Sequence, residues 1–277
     1  MTADLMDPYA FMAAAPALAD SNTPWGARYA GEIRDVIVHT AEHSPRNMQK
    51  RLGPSELGAA CDRQVIAKLA GIPRTNHVSD PWPSIVGTAV HAWLEKTFSA
   101  ENTRIGLQRW LTELRVYPTP QHPGSTDLYD RREEAVVDWK CLGATTLAKI
   151  KRPSGPPRRY HVQLLLYGLG CLVAGLPVSR VVLIALPRTA STLNGMYVWD
   201  HPFGGPDDVA LLTEVLRITE VRKQIAAEVI AGRIGINHIP ITPDDAECFF
   251  CPFYRPESAY DNGPGCTGTI GNRNLMS

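Results

Sequence analysis

The apolar pattern changes period near residue 113, and this change limits the fold more than any other feature of the sequence. Three short segments, 113–117, 125–130 and 134–140, read as β-strands. Before them, Ile85, Val86, Ala89, Val90, Trp93, Leu94 and Thr97 recur at spacings of three and four, predicting a helix over 84–98. An earlier helix follows Ser55 as its cap, runs through Cys61 and Ile66, and ends at Gly71 and Pro73. Downstream come a helix over 160–174, a strand over 180–186, a further strand over 196–199 and a long helix over 207–231. Val209, Leu212, Leu216, Val221, Ile225 and Val229 form the expected buried side of that last helix. Helices alternating with strands favour an α/β fold over a bundle or a sandwich. Residues 1–50 show no clear period and carry Pro8, Pro16, Pro24 and Pro45, so they read as an irregular arm before one domain over 51–277.

Composition sets outer bounds. With 277 residues and 44% apolar side chains the chain can bury a sizeable core, which excludes wholesale disorder. No run of about 20 apolar residues is present, so no membrane span is expected. The first residues lack a basic start followed by an apolar core, so no secretory signal is expected. The 28 Lys and Arg balance 28 Asp and Glu, yet a local patch can act inside a neutral chain. Such a patch exists: residues 140–160 hold Lys140, Lys149, Lys151, Arg152, Arg158 and Arg159 and no acid. Six cysteines without a secretory signal point to metal or catalytic use rather than a disulfide framework.

The chemistry concentrates on Gly124-Ser125-Thr126-Asp127 and on Asp138-Trp139-Lys140 of the next strand. Side chains alternate along a strand, so Asp138 and Lys140 share one face while Val137 and Trp139 share the other. A hairpin that sets Asp127 beside Asp138 gathers two carboxylates and an ammonium, and a divalent cation removes the carboxylate repulsion. Hard oxygen ligands favour magnesium or manganese. Taken alone, Asp-x-Lys is more often a solvent-facing ion pair at a strand end, because the tripeptide is common. His91 is placed on the helical face of Gly87 and Glu95, away from the apolar arc. Gln163, Tyr167, Gly170 and Ala174 form a stripe that reads either as a track for a nucleic-acid backbone or as a solvated face. Cys141 and Cys171 lie in or beside core elements and read as small buried hydrophobes. Cys248-Phe249-Phe250-Cys251 with Cys266 forms a second group, to which Cys61 adds a fourth thiolate, a set suited to zinc or to an iron–sulfur cluster.

The order of these motifs resembles a known family. A cysteine-bearing helix, Gly-x-x-x-His, a lone Glu, Gly-x-x-Asp, Asp-x-Lys, Gln-x-x-x-Tyr, then Cys-x-x-Cys and a final Cys are similar to the RecB-like branch of the PD-(D/E)XK nuclease superfamily. More narrowly, the chain resembles its iron–sulfur exonucleases: the CRISPR-associated four-cysteine nuclease, phage-borne relatives and the AddB nuclease domain. The likeness spans residues 54–266, with Ser55, Leu57, Arg63 and Gln64 fitting the entry helix. It implies a restriction-endonuclease-like α/β core, a mixed central sheet flanked by helices, with an N-terminal helical part and a C-terminal tail stapled by a metal cluster.

The resemblance further implies that His91, Asp127, Asp138 and the Trp139 carbonyl bind magnesium or manganese, with Lys140 the catalytic lysine. Glu113 stands where the first core strand carries a Glu. Gln163 and Tyr167 match the motif that holds the DNA strand, beside the basic loop Lys149, Lys151, Arg152, Arg158 and Arg159. Cys61, Cys248, Cys251 and Cys266 would hold a four-iron four-sulfur cluster, with zinc as the alternative. Two departures stand out: Asp138 replaces the commoner Glu, and the gap from Cys251 to Cys266 is longer than usual. The expected activity is metal-dependent exonucleolytic hydrolysis of DNA, on single strands, in recombination or repair. The expected location is the cytoplasm, or the host cytoplasm for a phage-borne chain. Rival readings are a zinc-stapled DNA-binding module without catalysis, a nuclease acting on RNA, and a subunit that cuts only with a helicase partner.

Overall fold

The computed structural model describes residues 23–43, 51–76, 80–242, 248–258 and 263–268. They fall into two compact units, Met1–Gln49 and Lys50–Ser277. The described element of the first unit is α1 (Pro24–Glu42). It corrects the expected irregular arm over this stretch, for a local reason. Thr23 is extended and its hydroxyl accepts the Gly26 N–H at 3.0 Å. Pro24 occupies the first turn, where its missing N–H costs nothing, so it starts the helix rather than breaking it. Pro8, Pro16 and Pro45 lie outside the described residues.

The second unit runs α2 (Pro54–Leu57), α3 (Asp62–Leu69), α4 (Trp82–Ile105), β1 (Trp110–Val116), β2 (Gly124–Asp130), β3 (Ala135–Leu142), α5 (Ala144–Ile150), α6 (Arg158–Val173), β4 (Arg180–Pro187), β5 (Tyr197–Pro202) and α7 (Pro206–Ile230). The helix expected after Ser55 is split in two. Gly53, not Ser55, stands at the first cap, and its N–H is taken by Glu56 Oε2 at 3.2 Å. Cys61 then caps α3. The basic segment is not a plain loop either, because α5 occupies its first half.

The five strands form one mixed sheet in the order β1-β2-β3-β4-β5, antiparallel except for the parallel pair β3 and β4. A parallel pair needs a crossover, and α5 and α6 supply it. On one face, Tyr129, Val136, Val181, Leu183 and Ala185 meet Val162, Leu165 and Leu166 of α6 in the main core. On the other, Leu128, Val137 and Trp139 form a smaller core with Leu94 and Phe98 of α4. The result is an α/β fold with a mixed central sheet between helices.

Two helix faces differ from the periodicity reading. The inward residues of α4 include His91, Leu94 and Phe98, whereas Trp93 is 64% exposed. His91 therefore lies with the sheet-facing apolar residues, not away from them. Along α7 the buried residues are Asp208, Leu212, Val215, Thr219, Arg222 and Ala226, while Val209 and Val221 are exposed. Buried polar groups shift that face because each has a partner: Arg222 donates to Asp62 at 2.8 Å and to the Ala59 carbonyl at 3.0 Å.

The C-terminal segment is held by backbone and side-chain hydrogen bonds. Thr75 and Asn76 donate their N–H groups to the Pro252 carbonyl at 2.9 and 3.0 Å, and Cys266 donates to Phe253 at 2.7 Å. Arg63 donates to the Ile239 and Asn237 carbonyls at 2.8 and 2.9 Å. No helix among the described residues is long and apolar enough to cross a membrane.

The seat of α6 on the sheet depends on a close approach at Gly170, where an added Cβ would stand 2.8 Å from Val116 Cβ. Overpacking of this kind costs about 1–3 kcal/mol. Gly170→Ala is expected to lower stability by that amount, read from the urea midpoint. An unchanged midpoint would show that β1 and α6 yield without cost.

Candidate functional site

β2 and β3 pair from Leu128↔Val137 to Asp130↔Ala135, and the register ends before Asp127. Where the ladder stops, backbone groups need other partners. The N–H of Trp139 donates to Asp127 Oδ2 at 2.7 Å, and the Thr126 hydroxyl reaches the Val137 carbonyl at 3.4 Å. The seam between the strands is thus closed by a carboxylate instead of a peptide, and this fixes Asp127 beside β3. The hydrogen bond at Trp139 comes from its N–H.

Asp138 follows from the middle strand and is 1% exposed. Gln163 Nε2, from α6, donates to its Oδ1 at 3.1 Å and to the Tyr167 hydroxyl at 3.1 Å. Lys140 Nζ, from the same face of β3, lies 2.6 Å from Oδ2 as an ion pair. Burial pushes the Asp138 carboxyl up to about 6, with Lys140 opposing and Asp127 adding to the rise. The Lys140 ammonium also sits 5.3 Å from the ring centroid of Tyr160, a neighbour the sequence reading missed. A cation over an aromatic face has no short sequence motif by which it could have been found.

His91 of α4 completes the opposite wall, with Nδ1 3.3 Å from Asp127 Oδ1. The Asp127 carboxylate holds its imidazole above the usual value, against burial, which lowers it. Glu113 adopts φ +45° in the middle of β1, a conformation few side chains other than glycine take. It falls at the gap in the β1–β2 register between Thr112↔Leu128 and Leu114↔Thr126, opposite Asp127. Ligand atoms of His91, Glu113 and Asp127 all lie within 4.8 Å of one another. Strain at one residue and interrupted pairing on both sides of β2 thus converge at this trio.

Other sequence candidates are placed differently. Gln163 and Tyr167 are 6% and 7% exposed, so they do not form a solvated face. Gln163 meets Asp138 instead. Arg158 Nη1 donates to the Gly58 carbonyl at 3.3 Å, and Arg159 Nε to the Ser55 carbonyl at 2.8 Å, tying α6 to α2. Lys149 lies in the last turn of α5, Lys151 lies 5.6 Å from the Tyr197 ring centroid, and Arg152 is exposed.

Cys61, Cys248, Cys251 and Cys266 line one pocket with Arg63 and Gln64. None of the six cysteines forms a disulfide. Burial pushes the Cys251 thiol up to about 12, and the other three cysteines add to the rise. Arg63 Nη1 lies 3.6 Å from Cys266 Sγ. Cys171 is fully buried and its thiol is likewise raised to about 12, whereas Cys141 is only partly covered.

Comparison with known sequences finds no family model and no curated protein that matches. Among solved structures, the chain is similar to an alkaline exonuclease from Laribacter hongkongensis, with 10% identity and a TM-score of 0.46 over 66% of this chain and 93% of that one. It is also similar to a phage-related exonuclease from Haemophilus somnus 129PT, with 13% identity and a TM-score of 0.39 over 65% and 96% of the two chains.

The raised Asp138 carboxyl has a consequence for the metal-free protein. A group that holds its proton more tightly when folded favours folding at low pH, and that contribution is lost as pH rises through its folded value. The stability difference between wild type and Asp138→Asn should therefore change by about 1–3 kcal/mol between pH 4 and pH 7, the wild type weakening relative to the variant. Urea unfolding in the presence of EDTA at both pH values measures it. Parallel curves would mean that Asp138 ionises in the folded protein as it does in water.

Proposed function

We propose that this chain is a metal-dependent DNA nuclease with a restriction-endonuclease-like core, acting as an exonuclease on single strands. The observation that carries the reading is Asp138. It is a buried carboxylate whose Oδ2 is paired with Lys140 and whose Oδ1 is oriented by Gln163, at the seam that Asp127 closes. The motif order noted in the sequence supports the same reading.

The donor set fits a hard divalent cation: carboxylate oxygens from Asp127, Glu113 and Asp138, with one imidazole from His91. When bound there, magnesium or manganese supplies positive charge at the scissile phosphate and a water of lowered pKa. The remaining roles belong to side chains of the chain itself. Gln163 holds Asp138 against rotation, and Lys140 offers an ammonium to charge developing on the phosphate. Asp127, fixed through the Trp139 N–H, sets the spacing between the two strands. Lys149, Lys151 and Arg152 are the phosphate contacts of the basic segment, whereas Arg158 and Arg159 serve the α2–α6 junction.

The four clustered cysteines are proposed to hold a four-iron four-sulfur cluster. Cys61, Cys248, Cys251 and Cys266 line one pocket, and the order of the cysteine motifs in the sequence supports this cluster. Loading would release the protons of raised thiols such as Cys251, so cluster binding would also contribute to folding.

Lys140→Ala and Asp138→Asn are expected to lower DNA cleavage by several orders of magnitude while DNA binding persists, since the first removes the ammonium that faces the phosphate and the second a carboxylate that would hold the cation. Linear single strands should be degraded in magnesium or manganese while closed circles of the same sequence resist. Near-wild-type cleavage by both variants would end the catalytic assignment, and equal loss of circles and linear strands would make the enzyme an endonuclease. RNA of the same sequence serves as the specificity control.

Protein purified without oxygen should be brown and contain iron and sulfide. Cys61→Ala, Cys248→Ala, Cys251→Ala or Cys266→Ala should each remove both, while Cys171→Ala retains them. Zinc without iron in the wild type would support the zinc staple instead.

A further inference from the structure

A second group of ligand side chains lies at the other edge of the sheet, apart from the residues discussed above. His161 of α6, His201 of β5 and Asp208 of α7 each offer an atom, and these atoms all lie within 4.8 Å of one another. Asp208 is 3% exposed. One of its carboxylate oxygens lies 2.8 Å from His201 Nε2, and the other accepts the Gly204 N–H at 3.0 Å. The His201 ring is parallel to Trp199 at 5.8 Å, and the His161 ring meets both edge-on at 4.8 and 5.3 Å. Packing therefore holds both imidazoles in place before any ligand arrives.

His161 Nε2 is buried and, among the described residues, has no hydrogen-bond partner. A polar atom taken from water without compensation is costly, and natural structures seldom keep one without reason. Helix capping accounts for Asp208, which sits in the first turn of α7, but not for His161. His122 Nε2 is likewise without a partner among the described residues, yet its other ring nitrogen is 2.8 Å from the Thr119 hydroxyl and no described ligand group gathers around it. His161 differs in having a second imidazole and a buried carboxylate beside it.

We infer that His161, His201 and Asp208 form a binding site for one zinc-class divalent cation, joining β5, α6 and α7. Two neutral imidazoles and a carboxylate are a donor set that zinc accepts, leaving the fourth position to solvent. Bonds of about 2.0–2.1 Å to nitrogen and oxygen in a tetrahedron set neighbouring ligand atoms about 3.3 Å apart. The His201–Asp208 pair, now at 2.8 Å, opens by about half an ångström, and the partly exposed His201 has room to do so. The site differs from the proposed nuclease centre in donors, having two nitrogens and one oxygen in place of a mainly carboxylate set. It therefore selects a softer ion.

The test uses the full chain, treated with EDTA, then loaded with zinc and passed through gel filtration. His161→Phe keeps the ring and its edge contacts but removes the nitrogen. Wild type should retain one zinc equivalent more than this variant, and zinc should raise its melting temperature further. His161→Gln repeats the comparison should the phenylalanine variant fail to fold. Comparing variants cancels zinc held by the cysteines or by the carboxylates near Asp127, because neither set includes His161. Equal zinc content and equal thermal shift in wild type and variant would overturn the inference, as would a wild type that retains no zinc.

Discussion

The parting of β2 from β3 at Asp127 is the constraint on which the rest of the structure depends. A sheet normally satisfies every peptide group by pairing, and an interrupted ladder must be repaired locally. Here the repair is chemical: the Asp127 carboxylate takes the Trp139 N–H, which places acidic oxygen one residue from Asp138. On the other side, β1 skips the same level through the positive φ of Glu113. A three-strand sheet with perfect pairing would have put these carboxylates in the ladder's side-chain rows, alternating between faces. Interrupting both ladders at one level brings the His91, Glu113 and Asp127 ligand atoms together instead.

α6 converts that local arrangement into a rigid one. It is buried nearly all round, so it cannot rotate to relax a contact on one side without losing apolar burial on another. Gln163 projects to Asp138 while His161, two residues earlier, projects to His201 and Asp208. Its glycines set the distance on two sides. Gly170 lies against Val116, and Gly168 against Phe203, where an added Cβ would come within 2.6 Å of the ring. Small residues at these points allow one helix to address the sheet seam and the sheet edge together.

The part of the site legible in the sequence was the part built from neighbours along the chain. Asp138 and Lys140 meet because a strand alternates, and the three strands that carry the acidic residues were visible from their period and turns. Contacts across elements were not. His91 was assigned to the outer face of its helix because Trp93 and Val86 dominate the apolar arc, yet Trp93 is exposed and Leu94 and Phe98 pack inward. The α7 face was displaced for a related reason: a hydrophobic pattern has no means of counting Asp208 and Arg222 as interior, since their burial depends on His201 and Asp62 elsewhere in the chain. Arg158 and Arg159 looked like free positive charge until the carbonyls of Gly58 and Ser55 stood opposite them. The prolines point to an irregular arm, because only the adjoining Thr23 hydroxyl makes Pro24 a helix start. The trio at the sheet edge joins residues 161, 201 and 208 from three elements and leaves no spacing to read.

The charge balance around Asp138 explains why its surroundings are arranged as they are. Asp127, Glu113 and Asp138 bring three carboxylates, against one ammonium from Lys140 and whatever charge His91 carries. Without a cation, the cluster limits its own repulsion by holding protons: burial raises the Asp138 carboxyl, and Asp127 raises the His91 imidazole. Both shifts move in the direction that reduces net negative charge. A divalent ion held there would do the same work and would displace those protons, so proton uptake and cation binding by these groups would be two expressions of one field. The burial that makes Asp138 expensive to ionise is offset by Lys140 at its Oδ2 and by Gln163 at its Oδ1. Gln163 prevents the carboxylate from escaping the problem by turning toward water.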